Sequence, residues 1–205
     1  MAVVGGDAIA QNQKALNKAL KKEYKTKMKE YSSGGWTLFG SSRTLDVMLL
    51  KHYEKLNEEN VTEVIGIASA FMNKSVGHQV AINDACRTYS QNAGSYVKGR
   101  IVSDLGSDGE NVAAEFDHFY AAYERNVDAE IKGELIESYC VVRQIDKDKK
   151  SGKPVYEMQA FFYVDEEAAT AARVRAFENA LKESAAAQKY AEKVSDFVRE
   201  GFVSE

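Results

Sequence analysis

The chain has 205 residues, of which 44% are hydrophobic, 28% charged and 10% aromatic, and this composition excludes disordered, collagen-like and coiled-coil proteins. A chain of this length buries about 70% of its extended surface, so one core needs no metal or disulfide. The net charge of −4 argues against a protein that mainly coats nucleic acid, and no apolar run reaches the roughly 18 residues of a membrane-spanning helix.

The first predicted element is a basic helix over residues 7–31. Residues 1–33 contain seven lysines against three acidic residues, a net charge of +4, which leaves −8 for the rest of the chain. The lysines are Lys14, Lys18, Lys21, Lys22, Lys25, Lys27 and Lys29. We interpret them as spread around the helix beside an apolar side with Tyr24, Met28 and Tyr31, which favours a solvated helix over one that binds anionic lipid. Two serines and two glycines end the helix.

The next segment holds the only tryptophan, Trp36, in a short apolar run that ends at Phe39. Glycines flank this run and Arg43 follows it, a composition typical of partner-binding surfaces. The alternative, that Trp36 anchors the first helix to a sheet, carries more weight because a large aromatic side chain beside a short strand usually packs. The candidate partner surface consists of Trp36, Arg43, Lys14, Lys18, Lys21, Lys22 and Lys25.

Helices and strands alternate through the middle of the chain. Ser41 or Ser42 is a natural N-cap for a second helix that runs to about residue 59. A β-branched run predicts a strand at 61–71. A third helix follows over 76–96, then a second strand over 97–105. A turn at 106–109 separates this strand from a fourth helix over 111–130.

The clearest local signal is a hairpin in the last third of the chain. Strands at 131–145 and 155–164 are joined by a wholly polar loop that contains a glycine. Asp165 is then placed to cap a final helix that runs to about residue 199.

These elements predict one α+β fold. We expect a mixed, mainly antiparallel sheet of about four strands, with helices packed mostly on one face and long N- and C-terminal helices. Residues 1–33 form the basic helix, and residues 34–205 form a single α+β domain.

No catalytic, cofactor or metal site is predicted. The histidines His52, His78 and His118 have no metal-binding spacing, and no phosphate-binding glycine loop is present. Cys86 and Cys140 match neither a disulfide framework nor a zinc site, so we interpret them as buried thiols.

Several segments resemble the LPP-twenty-like family of bacterial envelope lipoproteins. They are Ile65-Gly66-Ile67-Ala68-Ser69-Ala70, Ala81-Ile82-Asn83-Asp84-Ala85-Cys86-Arg87, Val97-Lys98-Gly99-Arg100, Ser138-Tyr139 and Val155-Tyr156-Glu157-Met158-Gln159-Ala160-Phe161-Phe162-Tyr163-Val164. The segments from Gly35 to Gly40 and from Phe197 to Phe202 also look like parts of exported proteins of Bacteroidetes bacteria. The resemblance implies an α+β domain in the periplasm or on the membrane, with no known activity. No signal peptide or lipid-attachment cysteine is visible in the chain.

We therefore expect a non-catalytic protein of the bacterial cell envelope, periplasmic or membrane-associated, that binds a protein partner or has a structural role. The absence of a clustered acid, base, nucleophile or metal ligand motivates this expectation. One alternative is a hydrolase with a dispersed site that uses Cys86 or a histidine with Asp84 or Asp117. Another is attachment to an anionic membrane surface through the lysine-rich helix. Nucleic acid is not an expected partner.

Overall fold

The structure is a computed structural model that describes residues 5–58, 60–105 and 116–200, with only the backbone for residues 5–16, 105 and 186. Its elements alternate along the chain between helices and strands. In order they are α1 (Gly5–Ser33), β1 (Thr37–Phe39), α2 (Leu45–Leu56), β2 (Val61–Phe71), α3 (Lys74–Leu105), α4 (Asp117–Ile131), β3 (Ile136–Lys147), β4 (Pro154–Asp165), α5 (Glu166–Leu181), α6 (Ala185–Lys189) and α7 (Ala191–Glu200).

The strands form one four-stranded sheet in the order β1-β3-β4-β2. All three pairings are antiparallel, so the sheet is not mixed. The α+β class and the number of strands are confirmed, and so is the predicted hairpin, which is β3 followed by β4. Because β2 pairs only with β4 among the described strands, it lies at one edge of the sheet.

The sheet is covered on both faces. On one face, alternate β4 residues such as Met158, Ala160 and Phe162 point into the main core, which contains side chains of α3, α4, α5 and α7. On the other face, Tyr139 and Phe161 pack with the end of α1 and with α2 in a smaller cluster. The two faces follow from the period of two in a strand, since neighbouring residues such as Ala160 and Phe161 point to opposite sides.

The strand predicted at 97–105 is wrong, because these residues continue α3. Val97 and Ile101 are one helical turn apart, and both are fully buried in the main core. Packing of this turn against the core outweighs the β-branched composition of the segment. The fourth strand is instead the short β1. Residues 131–135 end α4 and form a turn, so β3 starts later than predicted.

Other boundaries also differ from the predictions. The second helix begins at Leu45, after Thr44, later than the two predicted serine caps. The turn predicted at 106–109 and the first residues of the predicted 111–130 helix lie outside the described residues.

The C-terminal helix is capped as predicted but is not continuous. Asp165 accepts hydrogen bonds from the backbone N–H groups of Glu167 (2.9 Å) and Ala168 (3.3 Å). The helix then breaks after α5, and the Ser184 side chain caps the short α6. This break brings α7 back onto α5, where the buried Arg173 guanidinium donates to the Val198 carbonyl oxygen at 3.2 Å.

Candidate functional site

One exposed face of α1 carries a row of lysines. Their side chains are exposed at Lys18, Lys21, Lys22, Lys25 and Lys29. These positions recur at i, i+3, i+4, i+7 and i+11, so at 100° per residue they fall within an arc of about 100°. Lys14 continues this series one turn earlier, but its side chain lies outside the described part of the chain. The prediction that the lysines spread around the helix is therefore wrong.

A different side of α1 holds the helix against the body of the protein. Tyr24, Met28 and Tyr31 follow one another at i, i+4 and i+7 and belong to the smaller core cluster. The hydroxyl groups of Tyr31 and Tyr139 share a buried hydrogen bond of 2.9 Å. Burial raises the pKa of both tyrosines, which keeps them neutral. The described side chains therefore divide α1 into a packing side and a basic side.

Lys27 is the lysine that lies on the packing side. Its ammonium nitrogen is 5.2 Å from the centre of the Tyr31 ring and 5.8 Å from that of Phe161. It also forms an ion pair of 3.2 Å with Glu30. Lys27 thus provides an internal comparison for the lysines of the basic face, because it shares their helix but not their exposure.

Trp36 fastens the end of α1 to the sheet. Its side chain is only 8% exposed, and the Arg143 guanidinium lies 4.6 Å from the ring centre. A Cβ atom at Gly34 would come within 2.8 Å of Trp36 Cδ1, so the chain passes too close to the indole for a side chain there. Trp36 therefore anchors the first helix to the sheet, which is the second of the two interpretations given above. Because its side chain is buried, it does not belong to an exposed partner surface. Arg43 is exposed in the segment before α2, apart from the lysine helix.

A groove of about 390 Å³ runs between α1 and α2. Its apolar and aromatic lining residues are Leu20, Tyr24, Leu50 and Tyr53, and its charged ones are Lys21, Lys25 and Glu54. Leu50 is 47% exposed on α2. Burial, together with Glu23, Glu63 and Glu30, raises the pKa of Tyr53 to about 12, so this phenol is neutral at physiological pH.

A buried imidazole lies on the sheet side of α2, and the sequence analysis did not single it out. The Nε2–H group of His52 donates to Glu63 at 2.6 Å, while Nδ1 has no partner among the described residues. The ring contacts Tyr139 edge-on, with ring centres 5.1 Å apart. A cavity of about 170 Å³ lies beside it, lined also by Lys27 and Phe161. His52 follows Leu49 by three residues, a spacing that places both side chains on the same face of a helix, and Leu49 is also buried. This spacing is the signal in the sequence that could have indicated a buried His52.

The pair of His52 and Glu63 ties α2 to the edge strand β2. An imidazole beside a carboxylate can move a proton, and the cavity next to it admits only a small molecule. The lining residues include no cysteine or serine, and the hydroxyl of their one threonine, Thr26, donates to the Lys22 carbonyl oxygen at 3.0 Å.

The remaining histidines have separate surroundings. His78 Nε2 lies 2.7 Å from Glu137, and His118 is exposed at the start of α4. Within the described ranges, no group of three or more histidine, cysteine or acidic side chains is arranged to hold a metal ion.

The two cysteines are free and buried, as the sequence suggested. Burial raises the pKa of Cys86 to about 11 and that of Cys140 to about 12. Since the thiolate is the nucleophile, neither thiol is placed for nucleophilic chemistry at neutral pH. Asp84, the acid considered for a Cys86 site, instead binds Arg87 at 2.7 Å and accepts the backbone N–H of Ile67 at 2.9 Å.

Comparison with protein families, with characterised proteins and with solved structures finds no match to this chain. The likeness to envelope lipoproteins and to exported Bacteroidetes proteins therefore stays a prediction. No described helix has the length and apolar character needed to cross a bilayer.

Proposed function

We propose that this protein is a non-catalytic, peripheral protein of the bacterial cell envelope that attaches to an anionic membrane surface through the basic face of α1. The observation that supports the proposal is the row of lysines Lys18, Lys21, Lys22, Lys25 and Lys29 on one exposed helix face. Clusters of four to eight basic residues on a helix are typical of attachment to anionic lipid headgroups.

The charge distribution favours a flat anionic surface. Residues 1–33 carry +4 and the rest of the chain −8, so a membrane can meet the basic helix while the acidic body stays in water. From Lys14 to Lys29 the row extends about 22 Å along the helix axis at 1.5 Å per residue.

The strength of attachment follows from the number of lysines. Each lysine near an anionic surface contributes about 1 kcal/mol, so the five described ones supply at most about 5 kcal/mol. Binding of this size is reversible and is weakened by salt, because the interaction is screened over about 8 Å at physiological ionic strength.

The packing side of α1 holds the basic face in a fixed position on the rest of the domain. Tyr31 bonds to Tyr139 in β3, and Trp36 lies beneath Arg143 of the same strand. Because the bond between Tyr31 and Tyr139 is buried and the Trp36 side chain is only 8% exposed, the basic face has a defined orientation relative to the sheet.

Co-sedimentation with vesicles of phosphatidylglycerol and phosphatidylcholine in equal parts tests the proposal. We expect the wild type to bind at low salt, and the variant K18E/K22E/K29E to remain in solution. The matched control is K147E/K149E/K150E, which makes the same change of charge at exposed lysines of the β3–β4 hairpin and should still bind. Equal loss in both variants, or no wild-type binding, would contradict the proposal.

A second candidate function is binding of a protein partner at an exposed apolar patch of β2. Ile65 and Ile67 alternate on the same side of the strand and are 37% and 50% exposed, and exposed apolar side chains that lie together can mark a contact with another protein. A photo-reactive residue at Ile67, introduced in cells that produce the protein, should give a discrete protein adduct. The same residue at Val102, which is also 50% exposed, should give none. Identical adducts at both positions would end this candidate.

A further inference from the structure

We infer that the groove between α1 and α2 binds the acyl chain of a single anionic amphiphile, whose charged head lies at Lys21 and Lys25. This inference deepens the membrane attachment proposed above and rests on it for the source of the ligand. The chemical class is an acyl chain with a carboxylate or phosphate head, which a fatty acid or a lysophospholipid would provide.

The lining of the groove suits an acyl chain. Leu20 and Tyr24 of α1 face Leu50 and Tyr53 of α2 across a volume of about 390 Å³. That volume falls within the range of about 300–1,000 Å³ found for small-molecule sites, which are also largely apolar. Leu50 keeps 47% of its surface exposed, so an acyl chain would cover apolar area that the fold itself leaves open.

The charges of the groove select an anionic head. Lys21 and Lys25 are one helical turn apart, so both ammonium groups are on the same side of the groove. Glu54 is the single acidic residue among the lining side chains, which leaves one positive charge in excess. The phenol of Tyr53 is neutral, as its raised pKa of about 12 requires, and it adds no negative charge.

The position of the groove connects it with the membrane-facing side of α1. Lys21 and Lys25 belong both to the row of lysines and to the groove lining. A lipid whose head is held by this row therefore has its acyl chain next to the apolar lining. A flat layer of headgroups alone would satisfy the lysines and leave Leu20, Tyr24 and Leu50 without a ligand contact.

The test uses the full chain without vesicles and parinaric acid, a naturally fluorescent fatty acid, below its micelle concentration. We expect saturable binding of one molecule per chain that laurate displaces and that the uncharged dodecanol displaces less well. L50D should weaken binding about fivefold or more, whereas V102D, an equally exposed apolar position on α3, should not. Because E54Q removes the only acid in the lining, it should tighten binding, a gain that misfolding would not produce.

The lysines separate this inference from the proposed function. K21E/K25E should weaken both parinaric acid binding and vesicle binding, while K22E/K29E should weaken vesicle binding only. No saturable signal with the wild type, or equal effects of L50D and V102D, would overturn the groove inference and leave vesicle attachment standing. Parinaric acid binding without vesicle binding would instead overturn the proposed function.

Discussion

Replacing lysines on the two sides of α1 should affect membrane binding very differently. Lys18, Lys22 and Lys29 are exposed on the basic face, whereas Lys27 lies over the Tyr31 ring on the packing side. At about 1 kcal/mol for each lysine at the surface, K18Q/K22Q/K29Q loses about 3 kcal/mol of binding free energy. Since 1.4 kcal/mol corresponds to a factor of ten, the partition coefficient should fall by about 100-fold.

The same reasoning predicts the effect of each single substitution. K25Q should weaken binding about fivefold, which is the equivalent of 1 kcal/mol. K27Q should leave binding within about twofold of the wild type, because this ammonium group points to the protein. Lys27 is the stringent control, since it has the same residue type in the same helix and the same net charge change.

The assay is a partition coefficient measured by sedimentation with vesicles of graded phosphatidylglycerol content, at salt concentrations from about 50 mM to about 1 M. The screening length falls from about 10 Å at 0.1 M to about 3 Å at 1 M, so wild-type binding should disappear at the high end. Equal loss for K25Q and K27Q would refute the assignment of a basic face. Binding that persists at 1 M salt would refute an electrostatic attachment.

Four further predictions concern stability and reactivity. Native protein at pH 7.5 should show no reactive thiol, and denatured protein should show two, because burial raises the pKa of Cys86 to about 11 and that of Cys140 to about 12. Since both values lie above the ordinary 9.0, the folded state holds these protons more tightly. The contribution of the two thiols to the free energy of unfolding is therefore constant below about pH 9 and is lost as the pH rises toward 11 and 12, a window in which the raised pKa of Tyr53 acts in the same direction. Urea titrations should show the free energy of unfolding falling between about pH 9 and pH 12, and a flat profile in that window would contradict the prediction. R173M should lower the free energy of unfolding by about 3 kcal/mol. The substitution removes the guanidinium that donates hydrogen bonds to the Tyr89 hydroxyl and to the backbone carbonyl oxygen of Val198 in α7. A loss below about 1 kcal/mol would show that these hydrogen bonds are not needed for stability. W36A should cost about 3–5 kcal/mol in the same titration, as removal of a buried aromatic side chain does, and an unchanged midpoint would contradict the anchoring role.

The elements with strong local signals were predictable. The polar loop between β3 and β4 and the capping carboxylate of Asp165 act over a few residues, so the chain specifies them without help from distant contacts. The segment 97–105 was not predictable in this way. Its β-branched residues favour a strand, but Val97 and Ile101 also match one turn of a helix, and only the presence of a core beside that helix decides between the two.

The basic face was predictable from the chain alone. Applying the period of 3.6 residues to the lysines places all but Lys27 on one side of α1, and the spacing of Tyr24, Met28 and Tyr31 defines another side. The interpretation of the lysines as spread around the helix was wrong because it considered the number of lysines and did not apply the helical period to their positions.

Contacts between distant segments depended on the tertiary structure. The bond between Tyr31 and Tyr139 joins residues 108 positions apart, and His52 meets Glu63 only because α2 packs on one face of the sheet. The groove between α1 and α2 likewise exists only through the angle at which two helices pack. Residue spacing determines which side chains share a face, since this geometry repeats every few residues. Which faces pack against each other depends on how all apolar side chains of the chain are buried together. Many alternative partners could cover each of these side chains, so local spacing does not select among them.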